Sequence, residues 1–393
     1  MTEDKIHHGT PEFRRTNLAL FSAGFATFAM LYCVQPLLPV FSREFHVSAA
    51  ASSLSMSLST GTVAVALLVG GSISDTRGRK GVMAVSLFAT GLLTLLVSVA
   101  PTWKTLLAVR ALLGIALAGF PAVSMAYLGE EMSPGAIGLA MGLSISGNGI
   151  GGMTGRLLTG LMTDAAGWRV AIAIVGVLGL AATAIFWKTL PESRHFVPRE
   201  PVRGAVAAAF KTHLRDPHLV ALFAEAFLLM GSFVTLYNYV SYRLLDLPYG
   251  LSQSVVGLIF TVYLVGIVAS AWMGHLATRV GRRKMLLIMI CVTLAGVGLT
   301  LAQPLAVVVL GIAVATFGFF GAHSTASSWV GLFARTAKAQ ASALYFFCFY
   351  TGSGVAGSLG GWVWTAWRWP GVAAYVGAML LVGLALALRL ERA

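Results

Sequence analysis

Only one carboxyl group in this sequence of 393 residues lies well inside a long apolar run. Most of the 14 Asp and Glu residues fall at the ends of such runs or in polar stretches, and the exception is Glu225. His323 is the one histidine placed as deeply, and at about 1.5 Å of helical rise per residue both lie about 10–12 Å from one surface. A carboxyl and an imidazole shielded from water can take up and release a proton near neutral pH. Glu225, with His323 as its neighbour, is the predicted site of proton uptake, and the alternative is a structural carboxyl that reaches the nearby surface.

Two basic residues, Arg110 and Arg156, also lie inside apolar runs. The same helical rise places Arg110 about 9 Å and Arg156 about 10 Å from the opposite surface, with Gln35 at a similar depth. A charged side chain in hydrocarbon costs several kcal/mol unless it is paired or hydrated. The sequence leaves two roles open for these arginines, which are bonding to backbone carbonyls of neighbouring helices and recognition of a ligand carboxylate.

Tyrosine and amide side chains near these depths complete a predicted ligand cavity. Tyr32 and Tyr237 occupy matching places in the two halves of the chain. This match strengthens the case for a contact with the ligand at these two tyrosines, as against a role in packing alone. The predicted cavity residues are Tyr32, Gln35, Arg110, Arg156, Tyr237, Asn238, Tyr345 and Tyr350.

The elements that position these groups must be membrane helices, because the composition is too apolar for a water-soluble protein. Hydrophobic residues make up 57% of the chain and charged residues only 10%, whereas globular proteins carry about a quarter charged residues. The three cysteines all lie in apolar runs, so they predict neither a disulfide framework nor a metal site. A soluble enzyme and a disordered chain are both excluded.

Twelve apolar runs, called spans 1 to 12, are each long enough to cross a bilayer, which takes about 20 residues. They begin near residues 17, 51, 81, 104, 137, 168, 218, 252, 285, 304, 337 and 368. With the N-terminus inside, twenty of the 27 Lys and Arg residues fall on the inner side and five on the outer side. Basic residues are retained in the cytoplasm, so both termini are expected there. The net charge of +13 therefore indicates topology and not nucleic-acid binding.

The longest polar interruption, residues 188–217, divides the spans six and six. It contains four prolines and six basic residues and predicts a cytoplasmic linker, with a short interfacial helix near residues 204–214. Residues 1–187 are then expected to form an N-terminal six-helix bundle, and residues 218–393 a C-terminal one.

The two halves of the chain repeat one another. The end of span 2 recurs after span 8 at an offset of 203 residues, with Gly71, Gly78, Arg79 and Lys80 matching Gly274, Gly281, Arg282 and Arg283. The glycines of span 5 recur in span 11 at an offset of 205 residues, with Gly147, Gly152 and Gly155 matching Gly352, Gly357 and Gly360. Duplicated bundles of membrane helices joined by short loops are typical of transporters whose site lies between the repeats.

Three motifs resemble those of the major facilitator superfamily. The first is Gly71…Asp75-x-Arg77-Gly78-Arg79-Lys80, with its weaker copy after span 8; the second is Arg110-x-x-x-Gly114. The third, Gly147-x-x-x-Gly151-Gly152-x-x-Gly155, resembles the antiporter motif of the family's drug–proton and sugar-efflux branch. Two departures are that Gly151-Gly152 stands where that motif has Gly-Pro, with Arg156 in place of its closing glycine, and that Thr278 stands where the first loop copy has Asp75.

The resemblance implies an all-α membrane fold of twelve helices in two six-helix bundles, pseudo-twofold and built from 3+3 inverted repeats. It implies that the loop motifs form a gate, through Gly71, Asp75, Arg77, Gly78, Arg79, Lys80, Gly274, Gly281, Arg282 and Arg283. Span 5 is expected to pack closely through Gly147, Gly151, Gly152 and Gly155.

The function implied is a proton-coupled efflux antiporter for small organic molecules, drug-like or sugar-like, working by rocker-switch alternating access. The alternative is a proton-coupled symporter that imports an organic anion or another metabolite. A bacterial inner-membrane protein is expected, a monomer with protons, a small-molecule substrate and the lipid bilayer as its partners. The sequence contains no Gly-Lys-Ser/Thr loop, His-Glu-x-x-His motif or Gly-x-Ser-x-Gly motif, so neither an enzyme nor a cofactor or metal is expected.

Overall fold

The computed structural model describes residues 5–198, 204–334 and 336–390, without the side chains of residues 69–73, 75, 122 and 205. Within these ranges the chain is almost entirely helical, and an isolated β-bridge joins Ile6 to Met132. The α-helices are α1 (Pro11–Tyr32), α2 (Leu38–Glu44), α3 (Ala49–Arg77), α4 (Arg79–Ser98), α5 (Trp103–Leu117), α6 (Pro121–Glu131), α7 (Pro134–Thr189), α8 (Ala205–His213), α9 (Pro217–Leu245), α10 (Gln253–Leu258), α11 (Tyr263–Val280), α12 (Arg282–Leu299), α13 (Leu305–Phe333) and α14 (Lys338–Arg389).

Twelve membrane spans are built from these helices, which confirms the predicted all-α architecture. Spans 1, 4 and 8 each combine two helices, namely α1 with α2, α5 with α6, and α10 with α11. The helices α7 and α14, with 56 and 52 residues, each supply two spans because their backbones break at Gly167 (φ 81°) and Arg368 (φ 50°). The short helix α8 lies within the predicted linker, close to the position expected for it.

The chain divides into two compact units. The first comprises residues 1–34 and 65–201, and the second comprises residues 35–64 and 202–393. The C-terminal end of span 1 and the first part of span 2 therefore pack with the spans of the second half of the sequence. The bundle boundaries predicted at residues 187 and 218 stay a prediction, and the packing assigns residues 35–64 differently.

In the first unit, α7 packs against α1 through a row of glycines. Gly147, Gly151 and Gly155 are one helical turn apart, and a Cβ atom built on any of them would lie 2.1–2.5 Å from a backbone carbonyl oxygen of α1. Only residues without a side chain allow two helices to approach so closely. Gly152, the fourth glycine predicted for packing, instead lies beside the guanidinium of Arg156, and a Cβ atom built on it would lie 3.2 Å from Nη1 of that side chain.

The second unit uses the same device between other helices. A Cβ atom on Gly352 of α14 would lie 2.2 Å from the carbonyl oxygen of Phe227 on α9, and one on Gly296 of α12 would lie 2.2 Å from the backbone nitrogen of Ala315 on α13. Gly352 is the residue that matches Gly147 in the sequence repeat. The repeat is therefore visible in helix packing as well as in sequence.

Candidate functional site

Span 1 is interrupted in the middle, between α1 and α2. Pro36 and Pro39 have no backbone N–H to donate, and a 3-10 turn at Gln35–Leu37 separates the end of α1 from the start of α2. A helix that ends leaves carbonyl oxygens without their usual donors. Because water is scarce in the membrane, these carbonyls need donors from neighbouring helices.

Arg110 on α5 supplies two of those donors. Its Nη1 donates to the carbonyl oxygen of Met30 at 3.2 Å and its Nη2 to that of Leu31 at 2.7 Å, and the side chain is fully buried. Thr159 on α7 adds a third hydrogen bond, from its hydroxyl to the carbonyl oxygen of Cys33 at 2.7 Å. The sequence left two roles open for Arg110. The contacts seen here correspond to the first role, hydrogen bonding to backbone carbonyls of a neighbouring helix.

Arg156 lies at the same end of α1 and is also buried. Its Nη1 donates to the carbonyl oxygen of Gly152 at 2.7 Å, and its guanidinium carbon lies 4.1 Å from the centre of the Tyr32 ring. A guanidinium over an aromatic face gains about 0.5–2 kcal/mol, more where water is excluded. The structure therefore brings three predicted cavity residues, Tyr32, Arg110 and Arg156, to the interruption of span 1.

The predicted residues Gln35 and Asn238 meet in the second unit. Gln35 Nε2 donates to Asn238 Oδ1 at 2.8 Å, and both side chains are fully buried. Gln253 donates from its Nε2 to the carbonyl oxygen of Pro36. Among the described residues, Asn238 Nδ2 and Gln253 Oε1 have no hydrogen-bond partner. This cluster of buried amides therefore keeps one donor and one acceptor unused.

Hydroxyl groups fix the segment 35–64 to α9 and α14. The hydroxyl of Tyr242 lies 2.7 Å from that of Ser42 and donates to the carbonyl oxygen of Leu38 at 2.9 Å. Ser358 Oγ donates to Ser57 Oγ at 2.8 Å. Sequence reasoning missed the serines, since a serine in an apolar helix gives no distinct pattern.

The remaining tyrosines of the predicted cavity have aromatic surroundings. The hydroxyl of Tyr237 lies 2.7 Å from that of Thr316, and its ring packs against Phe233 with the centroids 4.9 Å apart. Tyr350 meets Phe349 edge to face at 5.4 Å. Tyr237 and Tyr32 match in the sequence repeat, but the rings have different neighbours.

Glu225 lies on α9 in the interior of the second unit and is fully buried. Its carboxylate faces α14, where a Cβ atom built on Gly383 would lie 3.0 Å from Oε2. Neither carboxylate oxygen has a side-chain hydrogen-bond partner among the described residues, and the one backbone donor that faces the carboxyl is the N–H of Ala387 on α14. An ionised carboxylate with so few partners is costly to bury, whereas the neutral acid is tolerated far better.

His323 does not hydrogen-bond to Glu225, although the two lie at one predicted level. Its Nδ1 lies 3.0 Å from the hydroxyl of Tyr345, and its ring stacks on Phe319 and packs against Phe349. Tyr345 in turn lies within electrostatic range of Glu225. The depth of a residue along a helix fixes its level but not its direction around the helix axis, and for this reason the sequence did not reveal Tyr345 as the contact of His323.

The loop motif after span 2 forms an ion pair in which the arginine is buried and the acid is partly exposed. Gly78 adopts φ 90°, and Gly281 in the second copy adopts φ 94°, a region that favours glycine. Arg79 is 4% exposed and donates through Nη2 and Nε to the two carboxylate oxygens of Glu130, at 2.7 and 3.0 Å. The side chain of Asp75 lies outside the described part of the structure, and so do the surroundings of Gly71, four residues earlier in α3.

The other motif residues are less enclosed. Lys80 pairs with Glu192 at 2.7 Å, and Arg283 in the second copy donates to the carbonyl oxygen of Leu388. Gly274 lies close to Ser324, Arg282 is half-buried, and Arg77 is exposed. Glu130 and Glu192 were not predicted as partners of the basic motif. Both acids lie at the end of a predicted span on the same side of the membrane as the motif, and this shared position could have indicated the pairing.

Comparison with known proteins gives matches along the whole chain. Residues 20–248 and 241–393 match the family model described as Major Facilitator Superfamily. The Inner membrane transport protein YnfM of Escherichia coli (strain K12) is 49% identical over 387 residues, which cover 98% of this chain and 93% of that protein. The Uncharacterized MFS-type transporter YybF of Bacillus subtilis (strain 168) is 48% identical over 379 residues, which cover 96% and 94%.

More distant similarities concern the fold or a part of the chain. The crystal structure of the nucleoside transporter NupG superposes with a TM-score of 0.78 at 14% identity, covering 96% of this chain and 100% of that one. At that identity the likeness shows the fold alone. The Multidrug resistance protein MdtG of Yersinia enterocolitica is 30% identical over 168 residues, which cover 42% of this chain and 40% of that protein.

Proposed function

We propose that this chain, which belongs to the major facilitator superfamily, is a proton-coupled antiporter that exports small organic molecules, drug-like or sugar-like. Membership of the family makes it a multi-pass membrane transporter and not an enzyme. The proposal adds the proton as the driving ion, the outward direction of transport, and rocker-switch alternating access. It also adds a location in the bacterial inner membrane, both termini in the cytoplasm, and a monomer as the working unit.

The observation that carries the proposal is the state of Glu225. Its carboxyl is fully buried in α9, has no side-chain partner among the described residues, and faces one backbone donor, the N–H of Ala387 on α14. Intramembrane ionisable residues are costly and commonly mark ion or proton pathways. A group that is stable there as the neutral acid must lose its proton when a conformational change brings water or a cation to it. Glu225 is therefore the proposed proton-coupling residue.

Tyr345 and His323 extend this site along α13 and α14. A tyrosine hydroxyl both donates and accepts, and the Tyr345 hydroxyl lies 3.0 Å from His323 Nδ1. Tyr345 also lies within electrostatic range of Glu225. The pair is proposed to take part in proton coupling, with the Tyr345 hydroxyl as the contact of the imidazole.

The substrate is proposed to use the buried amides and the aromatic residues of the predicted cavity. Asn238 Nδ2 is a donor without a partner among the described residues, and it can serve a hydroxyl or carbonyl oxygen of a substrate. Tyr237 and Tyr350, which lie in the same unit as Asn238, are proposed to offer ring faces to an apolar part of the same molecule. Export is favoured by the partial match to MdtG, whose name is that of a multidrug resistance protein.

Flux into proteoliposomes under an imposed pH gradient tests the proposal. With an acidic lumen, protons that leave through an antiporter drive substrate inward, whereas the alternative, an organic-anion symporter, requires an acidic exterior. A panel of drug-like cations, sugars and organic anions is screened for both directions, with a pH-sensitive dye reporting proton movement in the lumen.

Glu225→Gln keeps the shape of the side chain and removes its titration. This variant should lose accumulation driven by the pH gradient and retain substrate exchange at equal pH. Asp164→Asn, at an exposed position on α7, is the matched control and should keep driven flux. Unchanged proton-driven accumulation in the Glu225→Gln variant would remove Glu225 from the mechanism.

A further inference from the structure

The segment that follows span 6 is packed onto the first unit. We call residues 190–196 the strap; it begins where α7 ends, at Thr189. Leu190 belongs to the buried apolar cluster of the first unit, together with Phe13 and Tyr127. The carbonyl oxygen of Pro191 accepts a hydrogen bond from the Tyr127 hydroxyl at 3.0 Å. The first part of the predicted linker is thus anchored at its beginning.

Glu131, the last residue of α6, holds the far end of the strap. Its side chain is 2% exposed, and both of its oxygens contact His195. Oε1 accepts from the backbone N–H of His195 at 2.8 Å, and Oε2 lies 2.9 Å from Nδ1 of the ring. Since an ionised carboxylate only accepts, the ring nitrogen is the donor. Hydrogen bonds to a charged group are about twice as strong as neutral ones, so this contact fixes both the backbone and the ring of His195.

The next residue of the strap covers the arginine of the loop motif. The ring centre of Phe196 lies 5.2 Å from the guanidinium carbon of Arg79, which is 4% exposed and paired with Glu130. Glu130 and Glu131 are adjacent in sequence. Glu130 pairs with Arg79, and Glu131 holds the strap whose Phe196 ring covers Arg79. On its backbone side, the Glu131 carbonyl also accepts from the N–H of Ile6 at 2.9 Å.

We propose that Glu131 and His195 form a clasp that keeps the strap on the first unit through the whole transport cycle. His195 is then a positioning residue for transport, because the strap it fixes covers Arg79, the partner of Glu130. On this view, residues 188–196 of the predicted linker move with the first unit. The part of this proposal that concerns transport rests on the proposed function.

The clasp itself can be tested without a substrate. Ser193 lies in the strap with its hydroxyl oxygen buried, so Ser193→Cys, in a chain whose three native cysteines are replaced, should react slowly with N-ethylmaleimide. Adding His195→Ala should raise the labelling rate about tenfold, because a charge-assisted hydrogen bond is lost. Glu131→Ala should raise it further, because the backbone bond is lost as well.

Two more variants separate the hydrogen bond from the bulk of the ring. His195→Asn places an amide N–H near the position of Nδ1 and should restore slow labelling, whereas His195→Phe keeps a ring without a donor and should not. If His195→Ala reacts at the rate of its parent, the clasp does not hold the strap, and the proposal is wrong.

A cross-link decides whether the strap must leave during transport. Cysteines introduced by Glu131→Cys and His195→Cys are joined with a short bismaleimide, and pH-driven flux of a compound that the parent protein transports is compared before and after. The unlinked variant should transport at least threefold more slowly than its parent, and linking should restore flux to within twofold. Loss of flux on linking would show that the strap is released in each cycle, and unchanged flux would show that His195 does not act through the strap; either result overturns the proposal. If the parent moves no compound at all, the proposed function fails, while the labelling rates still decide the clasp.

Discussion

Gly151 offers a direct test of how closely α1 and α7 are packed. A Cβ atom at this position would lie 2.1 Å from the carbonyl oxygen of Phe25 and 2.5 Å from its Cα, so the first of these contacts is more than an ångström inside van der Waals distance. The obstacle is backbone, which cannot turn aside as a flexible side chain can, so the two helices must separate. Overpacking costs about 1–3 kcal/mol, and the better helix propensity of alanine returns up to about 1 kcal/mol. Because the obstacle is backbone, the upper part of the overpacking range, about 2–3 kcal/mol, applies, and Gly151→Ala should therefore lower the free energy of unfolding by about 1–2 kcal/mol.

Gly142 on the same helix provides the matched control, since no atom lies within 4 Å of the Cβ it would gain. Gly142→Ala should be neutral or stabilising by up to about 1 kcal/mol, for the helix-propensity reason alone. Unfolding of both variants in one detergent can be followed by the fluorescence of the nine tryptophans. If Gly151→Ala is as stable as Gly142→Ala, then α1 and α7 are not packed through this glycine, and the close-packing argument is refuted.

Three further outcomes are expected. Arg110→Lys keeps the charge but loses the planar fork, so it should lower the free energy of unfolding by about 1 kcal/mol, and Thr159→Val by about half as much. The Arg110→Lys variant should transport anionic and neutral compounds equally well. A loss of transport confined to anions would make Arg110 a substrate residue. Glu130→Gln leaves Arg79 buried with a weaker partner, so the flux driven by the pH gradient should fall in this variant. Adding Arg79→Gln should restore part of that flux, whereas losses of flux that simply add in the double variant would exclude direct coupling of the two residues. Alkaline phosphatase fused after Arg389 should be inactive in cells, because twelve spans return the chain to the cytoplasm, and an active fusion would require an odd number of spans.

The sequence was sufficient for the number and type of the spans, because the physical requirement is simple. A bilayer demands about 20 apolar residues and internal backbone bonding, so the hydropathy pattern alone predicts helices. Even the tight turns within α7 and α14 were indicated, since spans 6 and 12 were expected to begin near residues 168 and 368 and the breaks lie at Gly167 and Arg368.

The partners of the buried groups were harder to predict. The depth of Glu225 and His323 along their helices was used to place them together, but Tyr345 makes the contact with His323. Arg110 was recognised as an embedded charge with two open roles, and only the position of α1 beside it shows which carbonyls it meets. Partners of this kind depend on rotation about each helix axis, which spacing along one sequence does not determine.

The burial of acids at the ends of spans could not be predicted, for a different reason. In sequence, Glu131 looks like any solvated residue where a helix leaves the membrane. Its burial depends on residues 6 and 195, which the fold brings to it from two distant parts of the chain. A contact formed by three segments far apart in sequence has no local pattern that could reveal it.

The glycine row of span 11 bears on how a duplicated gene of this kind diverges. The residue that matches Arg156 in the second half is Gly361, and a Cβ atom there would lie 2.3 Å from the Cα of Ala50. In the first half this position requires the arginine that packs on Tyr32, and in the second half it requires a glycine beside Ala50. One residue in a common six-helix ancestor could not have met both requirements. The two halves are thus no longer interchangeable, and two copies of the first half joined in one chain would place a guanidinium where this protein has room only for a hydrogen atom.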